Sequence, residues 1–589
     1  MAKLTVLSLA AKRNLPAAVR TDFCEYSEMK IMTNTGNTPQ KPKQKSFASN
    51  VLLILIAQVA VKVLGMLYRM VITNIDGFGD AGNGFYSAGY QVYILLLAIS
   101  SVGIPNAIAK LISEKTALSD YGGARKIFRT ALCIFAGIGA VLSAALFLLA
   151  DPIAHYVLHL DGAGYTLAAL APSIFFVCIS SVFRGYFSGT NQMKVMSASQ
   201  VIEQAFKSTL TIVFVLAAVG MAPEIMSAYA NSATTVATVC GALYLAFAYL
   251  RRKSTLPAAQ ACGIKKDFFP TAKKILALAV PISLCSVISA INRMVDTATI
   301  TRGIERAFAG GIPAHGSVEA IATPTAAELN AEAVRLAGML SKSDTLINLP
   351  IAMNVAFATV LVPSIAKCLV SGENKKAASY IHSSFLTSVV LILPCAVGYI
   401  LLAGPIYRLL YPNAPLGYEL LQLSSISLIF MALNQTITGS LQGMGKVHIP
   451  ALALLCGCIV KFTANTLLIR IPQINIYGAT MGSILCQSTV FAIEFTSLLR
   501  SIKVPISFRN ILVKPFAATL LMGVVTYFGY KGIYALIHSN FIAIFVSVVL
   551  SAVIYGILLL AFRVYTPEQL TKAPVVGKVF RKVFAKKVG

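Results

Sequence analysis

From about residue 50 to residue 563 the chain alternates between apolar runs of roughly 20 to 28 residues and short polar connections, the length a helix needs to span hydrocarbon. Fourteen runs are predicted as helices: 51–73, 84–112, 127–150, 164–188, 195–220, 226–250, 271–300, 342–370, 379–403, 416–440, 449–470, 477–499, 511–533 and 540–563. Polar residues inside them fall in rows. Gln58, Lys62, Gly65 and Arg69 of the first run fit within a helical sector of about 60°, so they make one stripe. Gln200, Glu203, Gln204 and Lys207 do the same in the fifth, and Ser286, Ser289, Asn292, Arg293 and Asp296 in the seventh. A Lys or Arg at mid-membrane costs roughly 2.5 to 3.5 kcal/mol on insertion scales, so such stripes are expected to face protein or water.

Composition strengthens this reading. The 589 residues are 57% hydrophobic and 12% charged, with a mean hydropathy of +0.75, which places the chain among polytopic membrane proteins. The net charge of +27 does not imply nucleic acid, because the basic residues sit in short segments between spans and report topology and anionic lipid. Lys and Arg gather in the tails and even-numbered connections, as at Arg125, Lys126, Arg251, Arg252, Lys375, Lys376, Arg500 and Lys503. Both termini are therefore expected in the cytoplasm. Residues 302–342 form the longest outer connection, and the helical spacing of 326–340 suggests a segment lying along the outer surface. Tyr68, Tyr90 and Tyr93 are the expected interfacial anchors.

The chain also repeats itself. Tyr68-Arg69-Met70-Val71 is echoed by Asn292-Arg293-Met294-Val295, and Ile104-Pro105-Asn106-Ala107-Ile108-Ala109-Lys110 by Val362-Pro363-Ser364-Ile365-Ala366-Lys367. Gly185-Tyr186-Phe187-Ser188-Gly189 is echoed by Gly439-Ser440-Leu441-Gln442-Gly443, and Lys207 by Lys461. Each echo links span n to span n+6, which predicts two six-helix lobes in parallel repeat with substrate between them, plus two extra C-terminal helices. The resulting plan is a polar tail (1–47), an N-lobe (48–253), a cytosolic linker (254–270), a C-lobe (271–500), a lipid-facing helix pair (501–564) and a basic tail (565–589).

Arg69 and Arg293 occupy matching positions, and with Lys62, Arg184, Lys207 and Lys461 they are the candidate substrate-binding residues. Glu203, Asp296, Lys110 and Glu114 are candidate gating or ion-pair residues. Glu203 can pair with Lys207 at i,i+4, and Arg293 with Asp296 at i,i+3. A site lined by Arg and Lys favours phosphate or pyrophosphate, and the uncharged last span offers a greasy flank for a lipid tail. An amphiphile with a large anionic head is the expected substrate. A cation exporter would instead present an unpaired core carboxylate. The short loops show no catalytic cluster, metal site or cofactor motif, so no enzyme is expected.

Gly84-Phe85-Tyr86, Tyr90-Gln91-Val92-Tyr93, Ile99-Ser100-Ser101-Val102-Gly103-Ile104-Pro105, Phe183-Arg184-Gly185-Tyr186-Phe187 and Ser199-Gln200-Val201-Ile202-Glu203-Gln204 resemble the polysaccharide-transport branch of the MOP flippase superfamily. Within it the chain looks most like the SpoVB and YtgP group, relatives of the lipid II flippase MurJ. The resemblance covers roughly residues 48 to 565. It implies fourteen helices, alternating access, and export of an undecaprenyl-pyrophosphate-linked cell-wall precursor by a multi-pass protein of the bacterial plasma membrane. Arg69 matches the first-helix arginine that MurJ-type proteins place in their cavity. A monomer with a lipid-linked oligosaccharide substrate and anionic lipid neighbours is expected. Alternatives are another lipid-linked polysaccharide or a MATE-type antiporter.

Overall fold

In a computed structural model the described residues are 44–101, 103–118, 120–253, 268–313, 321–501 and 508–564. Most of the predicted tails, and residues 254–267 of the predicted linker, lie outside them. Two units divide the chain, Met1–Leu52 and Leu53–Gly589, and every side-chain contact described below lies within the second.

Its architecture is helical. In order, the long helices are α1 (Gln44–Thr73), α2 (Gly79–Ser101), α3 (Gly103–Ala117), α4 (Tyr121–Leu148), α5 (Ala163–Gly189), α6 (Met193–Ala217), α7 (Pro223–Lys253) and α8 (Phe268–Ala307), with a short helix (Ala150–Pro152) and a π-turn (Ile153–Leu158) between α4 and α5. They continue as α9 (Ala326–Val370), α10 (Asn374–Leu410), α11 (Tyr418–Gly443), α12 (His448–Leu468), α13 (Tyr477–Ser501), α14 (Phe508–Ile537) and α15 (Asn540–Ala561). Among the described residues eleven segments are long and apolar enough to cross a membrane, with α2 and α3 counted as one. The chain is thus a multi-span membrane protein. Helices suit this setting because each closes its own backbone hydrogen bonds where no water can. The predicted first, seventh and eighth spans fall on α1, α8 and α9, helices of 30, 40 and 45 residues.

The ends are set by local chemistry. Asp120 accepts from the Gly123 backbone N–H at 2.7 Å and starts α4. Thr325 and Glu328 form a reciprocal capping box: the Thr325 N–H donates to the Glu328 carboxylate at 2.7 Å, and the Glu328 N–H to the Thr325 hydroxyl at 3.3 Å. That box begins one unbroken helix through residue 370. The segment 326–340 is therefore the first turns of α9, with Ala333, Val334, Leu336, Met339 and Leu340 buried, and is no separate surface helix.

Small residues allow close helix contacts. A Cβ on Gly185 would lie 2.9 Å from the Pro105 carbonyl oxygen, and one on Gly189 2.8 Å from that of Ala109, so α5 lies directly on α3. A Cβ on Gly443 would lie 3.0 Å from the Val362 oxygen, which brings α11 onto α9 in the same manner. Two of the sequence echoes thus touch each other in both halves.

Candidate functional site

The stripe on α1 and the row on α6 face one another. Gln58 donates to Gln200 at 3.2 Å, a Cβ on Gly65 would meet the Gln204 amide at 3.7 Å, and Ser208 bonds the Leu64 carbonyl at 3.4 Å. Helical period predicts this, because side chains three and four apart share a face. Lys207 is carried into the interior. Its ammonium lies 4.1 Å from the ring centre of Tyr90 and 6.0 Å from that of Tyr68. Tyr86 stacks on Tyr90 at 5.8 Å and Tyr93 follows at 5.5 Å. Tyr68 and Tyr93 are buried among helices and so are not interfacial anchors; Tyr68 bonds Tyr86 through the hydroxyls at 2.9 Å.

Arg69 crosses from α1 to α9, donating to Ser341 at 2.7 Å and Thr345 at 3.2 Å while its guanidinium lies 4.7 Å from the Tyr86 ring centre. Exposed Lys62 and exposed Arg293, on α1 and α8, both lie within electrostatic reach of Tyr90. Four cations from α1, α6 and α8 thus converge on one tyrosine of α2. None of the four makes an ion pair among the described residues.

Arg293 does not pair with Asp296. Asp296 instead receives Lys461 of α12 at 2.6 Å on one oxygen and the Asn465 amide at 3.0 Å on the other. Lys461 also donates to the Asn292 carbonyl at 3.2 Å. One helical turn separates Asp296 from Arg293, but the neighbouring helix reaches the carboxylate first. The predicted Glu203 pair is likewise replaced: Glu203 binds Arg184 of α5 at 2.5 Å, and Lys207 turns to the tyrosines. Lys110 and Glu114 sit exposed on α3 and make no ion pair among the described residues.

Sequence reasoning missed several groups. Asp344 of α9 is solvent-accessible and within electrostatic reach of Asp296, Lys461 and Arg69. It stands at the edge of an apolar run, and its spacing from Ser341, Thr345 and Asn348 was the available signal. Lys342 is fully enclosed. Its ammonium bonds Asp80 at 2.7 Å and the carbonyls of Ala414 and Leu416 at 2.6 and 2.9 Å. Buried Glu494 accepts from the Thr438 hydroxyl at 2.9 Å. Thr438 is the repeat partner of Arg184, so both halves set a glutamate against the same position.

Long apolar helices that turn their charged side chains toward one another define a polytopic helical membrane protein with an internal polar site. The chain belongs to the polysaccharide biosynthesis protein family, whose profile matches residues 47–369. A second profile, Lipid II flippase MurJ, matches residues 318–560. Among relatives, the Lipid II flippase MurJ of Bacillus subtilis (strain 168) is 25% identical over 72% of this chain and 77% of its own. Stage V sporulation protein B of the same organism is 23% identical over 91% of this chain and 99% of its own. Among solved structures, a lipid II flippase MurJ in an inward closed conformation superposes with a TM-score of 0.64 at 17% identity, covering 87% of this chain and 99% of that one. An inward-facing multidrug resistance MATE family transporter of the MOP superfamily gives 0.59 at 12% identity, covering 76% and 98%. At these identities the structural likeness defines the fold.

Proposed function

We propose that this protein is a flippase for a lipid-linked cell-wall precursor with a pyrophosphate headgroup, lipid II first among the candidates. The observation that carries the reading is the convergence of Lys62, Arg69, Lys207 and Arg293 on Tyr90 with no carboxylate bound to any of them among the described residues. Cations held inside a membrane protein without acidic partners are costly, and an anionic ligand supplies what they lack. In this reading α1–α7 and α8–α13 are two lobes, α14 and α15 flank them, and both termini are cytoplasmic. The lobes rock about a cationic chamber while the prenyl tail stays in lipid. Arg184, Glu203, Asp296 and Lys461 hold helices in register around it, and the protein acts as a monomer among anionic lipids.

Asp344 favours a second reading, a MATE-type cation antiporter, since it presents an accessible carboxylate near the same groups. One assay separates the two. Purified protein in liposomes is expected to move fluorescent lipid II between leaflets, and Arg69→Ala and Arg293→Ala are each expected to slow it at least tenfold while remaining folded. Unchanged lipid II movement in both variants would remove the flippase reading, and proton-driven uptake of a cationic dye blocked by Asp344→Asn would install the antiporter.

A further inference from the structure

The tyrosine at the centre of the cationic cluster has a role that its position alone does not require. Tyr86 and Tyr93, which flank it on α2, are buried at 0% and 3% exposure, whereas Tyr90 is only partly buried. Stacking on Tyr86 and a tilted contact with Tyr93 fix the direction of its ring. The Lys207 ammonium packs over the face of the Tyr90 ring, 4.1 Å from its centre. A lysine ammonium only donates, so it cannot take the phenol proton, and the single O–H of Tyr90 is left to donate elsewhere. That hydroxyl makes no hydrogen bond to an acceptor among the described residues. Around it stand Lys62, Arg69 and Arg293, three groups that also donate and never accept. A ligand entering this place meets donors from every side.

We infer that the Tyr90 hydroxyl is a direct substrate contact, a neutral donor that grips a phosphate oxygen of the headgroup while Lys207 holds it oriented. This rests on the flippase reading and specifies where the phosphate sits. A ring of cations attracts any anion, but a fixed O–H adds direction, and phosphate oxygens reward a short charge-assisted bond.

Tyr90→Phe keeps the ring and its stacking and removes the donor. Its dissociation constant for a prenyl pyrophosphate in detergent is expected to rise at least tenfold, the worth of one hydrogen bond to a charged group. Binding of the matching prenyl alcohol and the melting temperature are expected to stay unchanged. Lys207→Met is expected to weaken the pyrophosphate as well, and the double variant to lose less than the sum of the two, because one residue orients the other. Wild-type affinity in Tyr90→Phe beside weakened Arg69→Ala would overturn the inference and leave the flippase reading standing. Wild-type affinity in both would overturn the reading itself. Equal losses for pyrophosphate and alcohol in Tyr90→Phe would reduce Tyr90 to a packing role and also end the inference.

Discussion

Lys207 and Lys461 are repeat partners, both buried, and they are held in contrasting ways. Lys461 is matched by a carboxylate at 2.6 Å, a backbone carbonyl and, through Asp296, a buried asparagine. Lys207 has only the aromatic faces of Tyr68 and Tyr90. The first is a finished ion pair, in which removal of one partner strands the other. The second is an open charge whose enclosure is worth about 0.5–2 kcal/mol per aromatic face. Of two lysines at echoed positions, one is thus closed by a carboxylate and the other is not.

The largest test of that contrast is stability. Lys461→Met leaves Asp296 inside the protein without its cation, and should cost about 3–5 kcal/mol, read as a lowered unfolding temperature in detergent. Lys207→Met should shift that temperature far less. If the two variants melted alike, the contrast would be broken. Next in size, Asp296→Asn added to Lys461→Met should recover part of the loss, with a coupling of about 0.5–3 kcal/mol from a double-mutant cycle.

The smallest effect comes from the same chemistry in water. Lys115 binds Asp120 at 2.8 Å with both side chains about two-fifths exposed. The bond from Lys115, and then that from the Gly123 N–H, holds the Asp120 carboxyl below its ordinary value. A depressed carboxyl stabilises the fold above its unfolded value of about 3.9, and that contribution fades as pH falls through the lower folded value. Exposed pairs contribute about 0.2–1 kcal/mol. Asp120→Asn should therefore differ from wild type slightly at pH 7 and converge with it below about pH 4, as followed by the melting temperature across pH.

Helical period made the α1 stripe and the α6 row legible, since it fixes which side chains share a face whatever lies opposite. Partner choice was not legible. Glu203 and Asp296 each have a basic residue on their own helix, yet both bind across to another, because a neighbouring helix offers a straighter approach. Tyr90 was hidden for a different reason. Tyrosine suits a membrane interface as well as it suits a cation, and only the arrival of Lys207 from α6 and Arg293 from α8 separates the two uses. Asp80 and Lys342 find each other from α2 to α9, with six long helices between them in the chain, which no local spacing encodes.

The seam between α2 and α9 carries one more consequence. A Cβ on Gly338 would stand 1.8 Å from the Asp80 carbonyl oxygen and 3.0 Å from the Gly84 nitrogen. One methyl group at residue 338 is therefore a wedge, and it would prise Asp80 away from Lys342 without altering either. How tightly those two helices can clasp is governed by the absence of a side chain, and the charges merely latch what that absence permits.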